Sequence, residues 1–200
     1  LFDLPDVDAT RVEARQSVLP EIVRMAIRQA NDALAHHRPD LARHALIAAL
    51  ANAPTHPDVL RMAALVYLDE GDFTAALKHF DLAMQQCEDD ALLYRQFAGA
   101  LEQAGEIGAA FEMRKRAVER LPGSALAYFD LGEHCFQYED MQSAVAALEQ
   151  AIRHAPGYVP AVLKLGSALV YVGRIDEGAG ANRQVLAAHP DFGAAWFSLA

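Results

Sequence analysis

The sequence has few of the residues that mark disulfide-stapled, nucleic-acid-binding or membrane-spanning proteins. It has two cysteines in 200 residues, so we expect free thiols and a reducing compartment. Its 17 basic residues are outnumbered by 27 acidic ones, for a net charge of −10, whereas nucleic acids and anionic membranes require a basic surface. No apolar run approaches the roughly 18 residues of a membrane span, and no secretory signal is visible. These absences predict a cytoplasmic protein that binds neither nucleic acid nor membrane.

Motifs for catalysis and metal binding are also missing. The chain has no HEXXH, no CxxC pair, no P-loop and no GxGxxG after a strand. His36 and His37 are adjacent, so on a helix they would point about 100° apart and make poor metal co-ligands. His134 and Cys135 are adjacent too, and neighbours on a helix cannot face each other. We therefore predict no catalytic residue, no metal site and no cofactor.

Proline and the small residues, by contrast, recur with one period. Pro20, Pro54, Pro122, Pro156 and Pro190 are separated by 34 residues or twice 34, with Glu88 in the vacant place. Three further series share this period: Ala42, Ala76, Ala110, Ala144 and Gly178; Ala49, Ala83, Ala117, Ala151 and Val185; and His37, Gly71, Gly105, Glu139 and Gly173. A fixed period of about 20 to 50 residues is typical of stacked repeats.

Each repeat has the pattern of a helical hairpin. In the segment from Pro57 to Asp90, apolar residues recur three and four apart from Leu60 to Tyr67, which predicts an amphipathic helix. Gly71 then favours a turn, and a second apolar stripe begins at Phe73. Small residues at fixed places allow the two helices to approach closely.

This pattern resembles the tetratricopeptide repeat, a helix-turn-helix unit of about 34 residues. The resemblance extends from about Val23 to the end of the chain and implies an all-α fold, a right-handed α-solenoid. It divides the sequence into a capping segment at 1–22 and repeats at about 23–56, 57–90, 91–124, 125–158 and 159–192, with a partial repeat at 193–200. Asp8 and Arg15 stand in the cap where packed alanines should be, so we expect a charged face directed at water. The alternative is a poorly ordered terminus.

Three positions depart from the family pattern. His37 and Glu139 replace the turn glycine, so those turns need either a non-glycine residue in the left-handed conformation or a different geometry. Gly178 replaces an alanine within the second helix of the fifth repeat. Because glycine costs about 1 kcal/mol relative to alanine, we expect that helix to be the softest.

The resemblance also implies a groove lined by the first helix of each repeat. In the family, the second, fifth, ninth and twelfth residues of that helix point into the groove; with the residues beside them they are called groove positions below. In the first two repeats the ninth and twelfth residues are Asn31, Leu34, Leu65 and Leu68. The predicted peptide-binding residues are Arg24, Arg28, Asn31, Arg61, Arg95, Gln96, Phe129, Glu133, Phe136, Lys164, Ser167 and Tyr171.

The predicted groove has two ends of different chemistry. The arginines of the first three repeats favour a carboxylate or an acidic peptide, and the aromatic end favours an apolar anchor. The alternative is that the cap or a further repeat covers part of the groove. Arg95 and Phe129 are predicted to lie outside the packing stripe. Replacing either should therefore weaken binding of a partner without unfolding the chain.

The predicted function is a non-catalytic scaffold that binds a protein or peptide. The alternative is the N-terminal repeat module of a larger transferase, because the ending at Trp196 resembles the last repeat of bacterial proteins in which a sulfotransferase domain follows. Trp196, Phe197 and Leu199 belong to a first helix without its partner helix. We therefore expect this end to self-associate or to fray.

Overall fold

A computed structural model describes residues 6–188, which contain eleven α-helices and no β-strand. The helices are α1 Asp6–Ser17, α2 Glu21–Ala35, α3 Pro39–Asn52, α4 Pro57–Asp69, α5 Phe73–Gln86, α6 Ala91–Gln103, α7 Ile107–Arg120, α8 Ala125–Gln137, α9 Met141–His154, α10 Val159–Tyr171 and α11 Ile175–Ala188.

The helices follow the period of the sequence. The second helices of the repeats begin at Pro39, Phe73, Ile107, Met141 and Ile175, each 34 residues after the last. Hairpin partners pack together, α2 with α3, α4 with α5, α8 with α9 and α10 with α11. The predicted all-α solenoid of helix-turn-helix repeats is confirmed.

Contacts divide the chain into two compact units. The first unit is Asp8–Met113 and includes α2 to α6, and the second unit begins at Arg114 and includes α8 to α11. The boundary lies within α7. Ala42 and Ala76 in the first unit and Ala144 in the second are fully buried. Small side chains at this place in the second helices therefore allow the close packing that the sequence predicts.

The turns inside the hairpins all use the left-handed conformation. Gly71, Gly105 and Gly173 have φ values of 78°, 85° and 83°. His37 and Glu139, at the same place in their repeats, have φ values of 52° and 64°. Of the two predicted alternatives for these turns, the structure has a non-glycine residue in the left-handed conformation. Two repeats therefore hold such a residue in a strained conformation.

Gly178 has a packing role that its effect on helix propensity does not reveal. A methyl group added there would lie 2.6 Å from the carbonyl oxygen of Gly166 in α10. A methyl group on Gly166 would in turn lie 2.8 Å from Oδ1 of Asn182. The α10–α11 hairpin therefore depends on two facing glycines for the close approach of its backbones.

Candidate peptide-binding surface

An open depression in the first unit is formed by groove positions of consecutive repeats. Its volume is about 320 Å³, and it is lined by Asn31, Leu34, Leu65, Leu68, Asp69 and Gln103. The first four are the ninth and twelfth residues of the repeats at 23–56 and 57–90, which the sequence assigned to the groove. Asp69 and Gln103 were not predicted; each is at the last position of its helix. Three leucines and three polar side chains line it, so it offers apolar contacts and hydrogen bonds together.

Two of the four arginines at the groove positions of the first unit, Arg24 and Arg61, are engaged within the chain. Arg61 is 4% exposed; its Nη1 donates to Gln96 Oε1 at 2.9 Å and its Nη2 lies 3.5 Å from Asp58 Oδ1. Arg24 forms an ion pair with Glu21. Arg28 is exposed, whereas Arg95 is half-buried. Arg24 and Arg61 therefore already have carboxylate partners at the place where the sequence predicted contact with an acidic ligand.

A buried ion cluster joins α1 to the start of α4 and α6. Arg15 Nε donates to Asp58 Oδ2 at 2.8 Å, and Arg15 Nη2 donates to Asp58 Oδ1 at 2.9 Å and to Asp90 Oδ2 at 2.5 Å. Arg15 Nη1 lies 2.9 Å from Cys87 Sγ. The side chains of Asp58 and Asp90 are 0% and 3% exposed, and that of Arg15 is 17% exposed. The fork of one guanidinium thus satisfies two buried carboxylates.

The cluster shifts the pKa of its members in predictable directions. Burial raises the pKa of Asp58, but the hydrogen bonds from Arg15 and the charges of Arg61 and Arg15 outweigh it, so the net pKa is lowered. Burial lowers the pKa of Arg15, and its bonds to Asp58 and Asp90 raise it by more. Burial and a hydrogen bond to Asp89 raise the pKa of Cys87 to about 11. Cys87 is therefore a neutral thiol near pH 7 and no activated nucleophile.

The expectation that Arg15 faces water is wrong. Its side chain reaches 43 and 75 residues along the chain, to Asp58 and Asp90. The physical reason is the presence of two acids at the N-terminal ends of neighbouring first helices, where Asp90 also caps α6 by accepting from Leu93 N–H. The burial of Asp58 and Asp90 requires cationic partners. Arg15 contacts both acids, and Arg61 is a second cation beside Asp58.

In the second unit, four predicted site residues lie in contact on α8 and α10. Lys164 Nζ lies 3.5 Å from Glu133 Oε1 and 5.1 Å from the centre of the Phe136 ring. The ring of Phe136 meets that of Tyr171 edge to face, with centres 5.6 Å apart. Tyr171 is 71% exposed. This aromatic patch of Glu133, Phe136, Lys164 and Tyr171 offers a cation, an acid and two rings to a partner.

Two other predicted residues of the second unit are turned to internal contacts. Phe129 is 4% exposed, and its ring packs edge to face against Tyr158, with centres 5.2 Å apart. The expectation that Phe129 lies outside the packing stripe is therefore wrong, because Tyr158 covers it from the N-terminus of α10. Ser167 Oγ donates to the carbonyl of Leu163 in its own helix.

Comparison with known proteins identifies the repeats. Family models described as tetratricopeptide repeat match residues 27–91, 96–159 and 136–200. The chain belongs to the tetratricopeptide repeat family. A search of curated protein sequences gave no match.

Solved structures of other proteins, two of them described as TPR proteins, have the same fold. TTC0263 from Thermus thermophilus is 19% identical, with a TM-score of 0.67, over 88% of this chain and 96% of that one. MamA from Desulfovibrio magneticus RS-1 is 16% identical, with a TM-score of 0.63, over 88% and 99%. YrrB, described as a TPR protein with an unusual peptide-binding site, is 16% identical, with a TM-score of 0.60, over 96% and 97%. At these identities the likeness concerns the fold alone.

Residues 6–188 contain no group of three or more metal-ligating side chains and no helix long and apolar enough to cross a bilayer. Cys87 and Cys135 are both free and buried. Trp196, Phe197, Leu199 and the partial repeat at 193–200 lie outside the described residues, so the expected self-association through this end stays a prediction.

Proposed function

We propose that this protein is a non-catalytic scaffold that binds a segment of a partner protein along its first helices. The observation that carries the proposal is the open depression of about 320 Å³ at groove positions of α2 and α4. Leu34, Leu65 and Leu68 would contact an apolar anchor of the partner, while Asn31 and Gln103 would hydrogen bond to its backbone. Family membership supports a protein partner, and the peptide-binding site named for YrrB supports a peptide as the form it takes.

The aromatic patch of the second unit supports a second contact with the same class of partner. Tyr171 and Val170 are 71% and 44% exposed on α10, and exposed aromatic and aliphatic side chains with a charged rim favour protein binding. Arg28 and Arg95 remain proposed contact residues at the groove positions of the first unit.

A peptide selection tests the proposal. A random dodecapeptide library is displayed on phage and selected on the full chain, and the enriched peptides are titrated against variants. We expect Leu65→Trp, which fills the depression, to weaken them at least 10-fold. Ile47→Ala, a matched change at an exposed apolar residue of α3, should leave affinity unchanged. The proposal would be overturned if the affinity of the peptides were the same for wild type and Leu65→Trp, or if the library yielded no binder.

The predicted alternative, a repeat module of a larger transferase, concerns sequence beyond these 200 residues. It stays a prediction, as do the cytoplasmic location and the absence of nucleic-acid and membrane partners. A strand followed by a phosphate-binding loop directly after residue 200 of the gene would favour the transferase.

A further inference from the structure

We infer that the partner segment carries an arginine, which replaces Arg15 between Asp58 and Asp90, beside an apolar residue that enters the depression. This inference rests on the proposed function and specifies the chemistry of the partner. The charge of this partner is opposite to that of the acidic ligand predicted from the row of arginines in the sequence. The reason is that Arg24 pairs with Glu21 in its own helix, whereas the shortest side-chain contacts of Asp58 and Asp90 are to a guanidinium from a different segment. Arg61 Nη2 is a further neighbour of Asp58, at 3.5 Å.

The site between Asp58 and Asp90 is built for a guanidinium. Asp58 accepts two parallel hydrogen bonds from Arg15, at 2.8 and 2.9 Å, and Asp90 accepts a third. Both carboxylates are almost completely buried, and a buried carboxylate is costly without a cationic partner. An ammonium group would match the charge but not the bidentate geometry, so arginine is favoured over lysine.

This site and the depression lie on one face of α4. Asp58 and Leu65 are seven residues apart, which is two helical turns, so their side chains share a face about 10 Å apart along the axis. An extended segment advances about 3.3 Å per residue. A partner that places an arginine at Asp58 and an apolar residue at Leu65 therefore has these two residues three or four positions apart.

Arg61 lies between the two sites on the same face and has an unused donor. Its Nη1 and Nη2 are engaged with Gln96 and Asp58, but its buried Nε has no acceptor among the described residues. A segment that runs from Asp58 to Leu65 therefore passes over an arginine that is only 4% exposed.

The described side chains of α1 bury little apolar surface. Those at position 10 and positions 12–17 are all exposed or half-exposed, Arg15 included. These residues therefore add little hydrophobic free energy against the release of α1, and a second arginine can compete with Arg15. Because Arg15 is tethered, it acts at a high effective concentration and lowers the apparent affinity of the competitor.

The peptide selection described above separates this inference from the proposed function. We expect the enriched peptides to share an arginine three or four positions from a leucine, isoleucine or phenylalanine. Peptides that share acidic residues, and still lose affinity with Leu65→Trp, would overturn the arginine partner while leaving the scaffold function intact. Loss of both the motif and the dependence on Leu65 would overturn both.

Titration of one probe peptide measures the competition directly. The probe is the α1 sequence itself, residues 6–19, labelled with fluorescein and added to the full chain. We expect Arg15→Ala in the protein to increase its affinity at least 5-fold over wild type. Replacement of Arg15 within the peptide by alanine should abolish binding. Equal affinity for wild type and Arg15→Ala, or no loss with the altered peptide, would overturn the inference.

Two further variants keep the titration decisive. Arg15→Lys retains the positive charge but not the planar guanidinium, so we expect its affinity for the probe to lie between the affinities of wild type and Arg15→Ala. If Arg15→Ala does not fold, Arg15→Lys takes its place in the comparison. Arg174→Ala is the matched control, since Arg174 forms ion pairs with Glu149 and Glu177 in the second unit. It should leave probe affinity at the wild-type value, and an increase equal to that of Arg15→Ala would contradict the inference.

Discussion

The two units place different side chains at one core position of the second helix. In the first unit this position holds Leu46 and Phe80, which are 4% and 0% exposed. In the second unit it holds Arg114, Leu148 and Asn182, which are 6%, 0% and 1% exposed. The same 34-residue frame thus accepts a charge or an amide where its neighbours place a large apolar group.

The polar residues of the second unit are accepted because the neighbouring first helix is adapted to them. Arg114 Nε lies 3.1 Å from Asp130 Oδ2, and both side chains are at least nine-tenths buried. Asn182 lies over Gly166, where a larger residue would collide with it. At this position the repeat thus requires a side chain that fills a given volume. A polar side chain can fill it where the neighbouring first helix supplies a suitable contact.

The largest effect is expected where the ion pair of the second unit is broken. Asp130→Ala leaves the buried guanidinium of Arg114 without this carboxylate, and we expect the free energy of unfolding to fall by about 3–5 kcal/mol. Urea denaturation followed by circular dichroism measures it. Arg114→Leu combined with Asp130→Leu makes the second unit resemble the first, and should be far less destabilising than Asp130→Ala. A double variant as unstable as the single one would show that the pair is not exchangeable for apolar packing.

Phe129 and Tyr171 separate internal packing from the exposed aromatic patch. Because Phe129 is buried against Tyr158, we expect Phe129→Ala to lower stability by about 3–5 kcal/mol. Tyr171→Ala, at a side chain 71% exposed, should cost about 0.5 kcal/mol or less. Thermal melts of both variants provide the measurement. Similar small losses in the two would return Phe129 to the candidate binding surface.

Two glycines of α11 test whether the second unit needs its close backbone approach. Gly178→Ala places a methyl group 2.6 Å from the carbonyl oxygen of Gly166, and we expect it to destabilise by about 1–3 kcal/mol despite the better helix propensity of alanine. In Gly180→Ala the methyl group meets nothing within 4 Å. This matched variant should gain up to about 1 kcal/mol. A gain in both, measured by urea denaturation, would show that Gly178 is only a weak helix former.

The smallest effect is expected at the turns, where the two units can be made alike. Glu139→Gly removes the strain of a left-handed non-glycine residue, and we expect a gain of about 1 kcal/mol in stability. Gly105→Ala is the reverse change at the same place in another repeat. Since nothing lies within 4 Å of its added methyl group, its loss of about 1 kcal/mol is conformational alone. Changes of the same sign in the two variants, measured by thermal melts, would contradict the explanation from φ.

Part of the candidate surface could be predicted from the sequence. Asn31, Leu34, Leu65 and Leu68 line the depression as their helix positions require, because residues seven apart or three apart on a helix share a face. Asp69 and Gln103 were missed because they flank that pattern at the last position of their helices. The pairings of Arg24 and Arg61 were also missed, and they change which ligand charge the surface favours.

The sequence by itself determined the spacing of the helical hairpins, the left-handed turns at the glycine positions and the places of the small residues. These features depend on interactions within one repeat, and 34-residue periodicity records them in each copy. Only the tertiary structure decided that Arg15 meets Asp58 and Asp90, that Tyr158 buries Phe129 and that Gly178 faces Gly166. Each of these contacts joins separate segments, and the choice of partner depends on which buried group lies nearest once the helices have packed.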